Sequence, residues 1–122
     1  LHKEYRRQRQ MCKETGDTAY RDLVNFRGEL LTLTGSEQTT DAYLSALRDF
    51  LSRLAEFPHR GEARPDLHPS IRVIGFRQRL RIVFAVMEDQ VVILAVQSAR
   101  QGRVTLPESV YQFLEVLDGD VR

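Results

Sequence analysis

Apolar residues recur at Ala19, Leu23, Phe26, Leu30 and Leu33, with Tyr20, Val24 and Leu31 beside them. That spacing predicts one amphipathic helix. Asp17 or Thr18 is placed to cap its start and Gly35 to stop it. A second helical stripe, Tyr43, Leu47, Phe50, Leu51 and Leu54, runs through residues 38–57. Ser36 can cap its entry, and Pro58 ends it, because the residue before a proline avoids the helical region. The tight "TGSE" link makes the pair an antiparallel hairpin.

Beyond residue 57 the period changes. "PHRGEARPDLHPS" is too rich in proline, glycine and charge for a regular element and reads as a loop. "IRVIGF", "LRIVFAVM" and "VVILAV" follow, rich in β-branched and aromatic residues and separated by short turns at "RQ" and "EDQ". Three strands on such connections predict an antiparallel meander, apolar on both faces in places, with the helical hairpin over one face. "LPESVYQFLEVL" predicts a short helix: Pro107 lies near its start, Glu108 in its first turn, and Val110, Phe113, Leu114 and Leu117 on one side. "YRRQRQMC" fits either a polar edge strand or a basic helical tail. The predicted class is α+β: an N-terminal helical hairpin packed on a three- to four-stranded antiparallel sheet, with a short C-terminal helix.

Composition adds boundaries. A chain of 122 residues, 42% apolar and 29% charged, is expected to form one ordinary globular domain. The net charge of +1 conceals four blocks: +4 over residues 1–13, −4 over 14–58, +4 over 59–103 and −3 over 104–122. Cys12 is the sole cysteine, so neither an internal disulfide nor a thiolate metal site is expected. His59 and His68 flank the loop and His2 is remote in sequence, without a supporting ligand cluster, so no metal or other cofactor is expected. The serines lack an elbow motif, and "TGDTAY" and "QGRVT" are not phosphate loops. The acidic pairs Glu88/Asp89 and Asp118/Asp120 suggest solvated residues rather than a catalytic dyad. There is no apolar run of membrane-spanning length and no leader pattern, so a cytoplasmic protein is expected.

The arginines are the remaining chemical signal. Residues two apart in a strand share a face, so Arg79 and Arg81 project together with Val83 and Ala85. Leu80, Ile82, Phe84 and Val86 take the other face. With Arg72 in the preceding strand, Arg64 in the loop and Arg100 after the last strand, a cluster on one side of the sheet is expected. Guanidinium groups bind phosphate or carboxylate in bidentate fashion, which suits RNA, a nucleotide or an acidic protein. The same arginines could instead cover a solvated face or pair with Asp22, Asp66 and Glu88.

The order of these pieces resembles the ParE/RelE superfamily of bacterial toxins, and the ParE branch most closely. "TAYRDLVNF" is similar to the opening of that family's first helix, with Ala19, Asp22 and Leu23 in place. "LAEFPHRGEARPDLHPSIRVIGF" is the most specific match, carried by Leu54, Phe57, Pro58, Gly61, Arg64, Leu67, Arg72 and Phe76. "LRIVFAVMEDQVVILAV" resembles the family's final hairpin. The resemblance spans residues 18–101 and implies a toxin domain over 18–103, preceded by a basic segment, 1–17, and followed by the helix and acidic tail of 104–122. Two departures stand out. Gln97 occupies a position where ParE chains often carry histidine, and "YRRQRQMCKETGD" lacks the alternation of the family's first strand.

The resemblance implies the toxin of a type II toxin–antitoxin module, neutralised by a cognate antitoxin in a hetero-oligomer, or forming a homodimer. ParE members act on DNA gyrase by binding. Arg64, Arg72, Arg79, Arg81 and Arg100 are then candidate target contacts, and Leu30, Leu31 and Leu47 candidate antitoxin contacts. RelE members instead cleave messenger RNA on the ribosome, a reading in which Arg64, Arg72, Arg81 and Arg100 would hold the scissile phosphate. No histidine or tyrosine lies near Arg100 to move a proton, which favours the non-enzymatic gyrase reading. A third reading is an inactive member of the superfamily serving as an interaction domain.

Overall fold

The computed structural model describes residues 12–88 and 90–121. His2, Asp89 and most of the basic segment 1–17 lie outside the described residues. The elements run β1 (Cys12–Thr15), α1 (Asp17–Thr34), α2 (Glu37–Glu56), β2 (Glu62–Ala63), β3 (Ile71–Phe76), β4 (Leu80–Val86), β5 (Gln90–Ser98) and α3 (Glu108–Val121). They form a single sheet in the order β1-β5-β4-β3-β2. The α+β class and the leading helical hairpin are as the pattern predicts.

The sheet is larger than predicted, and mixed. β1 joins β5 in parallel, with Thr15 opposite Ile93, whereas the other pairings are antiparallel. Of the two options for the N-terminal segment, its end is therefore the edge strand. Two residues of the "PHRGEARPDLHPS" loop, Glu62 and Ala63, add a short strand to β3.

The helix ends follow local chemistry. Gly16, not Asp17 or Thr18, is the N-cap of α1, and no side chain caps it. Gly35 closes α1 with a left-handed φ of 66°, which spares a Cβ penalty. Its N–H donates to the Leu31 carbonyl at 2.8 Å. Ser36 caps α2 by accepting from the Thr39 N–H at 3.1 Å.

Both faces of the sheet are covered. On one, Leu80, Ile82 and Phe84 of β4 pack with Val91, Ile93 and Val96 of β5 beneath Ala19, Leu47, Leu51 and Leu54 of the helical hairpin. On the other, Val83 and Ala85 join Ile71, Val92, Leu94 and Ala95 beneath Val110 and Leu114 of α3. A bulge in β5 shifts its alternation by one residue: Val83 pairs with Ala95 but Phe84 pairs with Ile93, leaving Leu94 as the extra residue. Leu94 and Ala95 consequently both face α3.

Candidate functional site

The arginines do not form one cluster. The β3–β4 register places Arg72 opposite Phe84 and Arg81 opposite Gly75. Pairing keeps opposed residues on the same face, so Arg72 shares the helical-hairpin side with Phe84 and Arg81 the α3 side with Val83.

Arg72 is absorbed by the loop after α2. Its guanidinium donates to the carbonyls of His59 (2.8 Å), Arg60 (3.0 Å) and Gly61 (3.0 Å). Gly61 lets the same loop lie close against β3. Its φ is 77°, and a Cβ there would lie 2.5 Å from the Val73 carbonyl oxygen. The family-like glycine and arginine of this segment thus form one device that shapes the loop. Arg64 makes a bidentate pair with Asp66 at 3.0 and 2.8 Å. Hydrogen bonding across the pair holds the Asp66 carboxyl below its ordinary range and the Arg64 guanidinium above its own. Arg81 donates to the carbonyls of Ser98 and Gln101.

Arg79 and Arg100 have a different setting. They lie with Arg77 on one side of an open cleft of about 790 Å³ between α1 and the β3–β4 turn. Asp22 and Glu29 of α1 lie on the opposite side, and Phe26, Leu30, Leu33, Leu80 and Val96 add apolar surface. The turn itself is unusual: Arg77 and Gln78 both have left-handed φ values, 51° and 59°, without being glycine. The Arg79 N–H closes it on the Phe76 carbonyl at 3.1 Å. Positive φ at both central positions matches the twist of a β-hairpin, which offsets part of the penalty for side-chain-bearing residues.

An aromatic row supports this turn. Phe26, Tyr43, Phe76 and Phe50 follow one another at ring separations of 5.6, 5.6 and 5.0 Å. The Arg77 guanidinium lies 5.2 Å from the Phe76 ring centre and 5.4 Å from that of Tyr43. Cation–ring attraction therefore orients the cleft's first arginine. Burial raises the Tyr43 hydroxyl pKa against the opposing pull of Arg79 and Arg77. Across the cleft, the Asp22 carboxylate accepts the Val96 N–H at 2.9 Å, tying α1 to β5. Desolvation raises its pKa, while that hydrogen bond and nearby Arg21 oppose the rise.

Of the candidate antitoxin contacts, Leu47 is 1% exposed and belongs to the core, so it presents no free surface. Leu30 is 5% exposed but borders the cleft, and Leu31 is half-buried. Sequence reasoning missed Arg77, Glu29 and Leu33. The "RQ" turn signal was the available clue to Arg77, since a short hairpin tip exposes its side chains. Leu33 is 71% exposed at the cleft edge.

Fold and site together define a small α+β protein whose open cleft carries arginines on one side and carboxylates on the other. Residues 15–102 match the family described as the ParE toxin of the type II toxin–antitoxin system parDE. The chain belongs to that family of toxins. No curated protein matches the sequence. Among solved structures, it is similar to a chain of the chromosomal ParDE toxin–antitoxin system of P. aeruginosa, at 19% identity and a TM-score of 0.63. That likeness covers 74% of this chain and 97% of the other. Among the described residues, no helix is long and apolar enough to cross a membrane.

Proposed function

We propose that this toxin acts by binding DNA gyrase in the bacterial cytoplasm, without catalysing a reaction itself, and that a cognate antitoxin neutralises it. The observation that carries this reading is the division of labour among its arginines. Arg64, Arg72 and Arg81 are engaged with a carboxylate or with backbone carbonyls. A phosphate-cleaving constellation would need several of them converging on one reacting group. Arg77, Arg79 and Arg100 instead border a broad cleft with apolar ground between them, a surface suited to a protein segment. In this reading an acidic, amphipathic segment of the antitoxin meets the arginine side of the same cleft, with Leu33 as its exposed apolar contact.

The direct assay is plasmid supercoiling by purified gyrase with increasing amounts of this protein. Inhibition is expected, weakened at least about tenfold by Arg79→Glu combined with Arg100→Glu, which reverse charge at the cleft. Undiminished supercoiling alongside cleavage of ribosome-bound messenger RNA would replace this reading with the endoribonuclease one.

A further inference from the structure

The family match ends at residue 102, ahead of α3. The solved relative is covered almost end to end by only about three-quarters of this chain, so the chain carries additional residues relative to that fold. α3 is nevertheless integral to the packing. Val110 and Leu114 are 4% and 0% exposed, set against Val83, Val92 and Leu94 on the sheet face opposite the helical hairpin.

The linker into α3 has its own seat. Arg81 and Gln97 stand directly opposite each other on β4 and β5. Arg81 donates to the Gln101 carbonyl and, at 3.4 Å, to that of Ser98; the Gln97 amide donates to the Thr105 carbonyl at 2.7 Å. Each side chain also keeps one buried atom without a partner, Nε of Arg81 and Oε1 of Gln97. An unpaired polar atom costs stability, so this seat holds the linker less firmly than a fully paired one would. Gln97, Ser98 and Gln101 of this seat also border the cleft that carries Arg79 and Arg100. The strap that Arg81 and Gln97 hold is acidic, −3 over residues 104–122, and follows a block of +4. An acidic amphipathic helix on an apolar face, with an arginine at its border, has the form of a partner helix in its groove.

We propose that the linker and α3 form an autoinhibitory strap, which covers the sheet face in cis and occupies Arg81 and Gln97 until it is released. Release frees the linker residues that border the arginine cleft and makes the toxin more potent. The inhibitory role rests on the toxin function proposed above; the strap's separate mobility does not.

Two variants of the full chain test this, followed by hydrogen exchange and by growth after graded induction. Leu114→Asp places a charge under α3, and Gln97→Ala removes a linker contact without touching the core. Exchange of α3 amides should accelerate about a hundredfold in Leu114→Asp and about fivefold in Gln97→Ala. Amides of β4 and β5 should stay protected, and both variants should arrest growth at lower inducer than the parent chain. Equal loss of protection in α3 and the sheet of Gln97→Ala would overturn the strap as a separate unit. A freed α3 with growth arrest unchanged from the parent would overturn its inhibitory role while leaving the toxin reading intact. A freed α3 with no arrest in parent or variants would overturn both.

Discussion

One sheet carries two covers in this molecule, and they are built differently. The α1–α2 hairpin lays two long helices over one face, continues the packing through an aromatic row and fastens α1 to β5 through Asp22. It lies within the family match. The opposite face is closed by α3, a single helix beyond that match, reached through a linker held by Arg81 and Gln97. Equal burial therefore does not mean equal commitment to the fold. The first cover is two long helices, whereas the second is one helix, flanked by Leu67, Met87, Val104 and Leu106, and a polar seat for its linker.

Leu54 and Leu114 make the comparison sharp, since both are 0% exposed and sit under opposite covers. Leu54→Ala should cost about 2–5 kcal/mol of global stability, read from denaturant unfolding. Leu114→Ala deletes the same atoms, yet its main effect should be local loss of exchange protection in α3. If both lower the global transition equally, the two covers are equivalent and the distinction fails. Next in size is Gly61→Ala, which meets the Val73 carbonyl and forces a left-handed alanine. A loss of about 1–3 kcal/mol is expected from the backbone conformation alone, with thermal unfolding as the measurement. Ser36→Ala removes the α2 cap and should destabilise the hairpin cover by about 1 kcal/mol, leaving α3 exchange relative to the sheet unchanged.

The smallest effect concerns Asp22. Its carboxyl pKa is raised from an ordinary value of 3.8, chiefly by desolvation. The folded state therefore holds its proton to higher pH than the unfolded state. Stability from this group is greatest below the unfolded value and declines as the pH rises through the raised folded value. Asp22→Asn keeps an acceptor for the Val96 N–H and should flatten that part of the stability profile. An unchanged slope in acid titrations of unfolding would assign the dependence elsewhere.

Much of this architecture was legible because period reports burial. Helical spacing located both helices of the hairpin, and alternation assigned Leu80, Ile82 and Phe84 to one face and Val83 and Ala85 to the other. β1 gave no such signal: it is an edge strand held by parallel backbone pairing, so "CKET" needs no apolar alternation. The arginine cluster failed for a related reason. Alternation fixes sides within one strand, but only turn geometry fixes the register between strands, and the Phe76–Leu80 pairing sent Arg72 and Arg81 to opposite faces. The motif residues Gly61 and Arg72 were visible in the sequence, but their task of shaping a loop became visible only once the carbonyls of residues 59–61 had positions.

The most direct test of the central claim is pulse-labelling of DNA, RNA and protein synthesis in bacteria after inducing this chain without an antitoxin. A gyrase-binding toxin predicts that DNA synthesis falls first, with transcripts intact. Protein synthesis collapsing first, with messenger RNA cut, would contradict it.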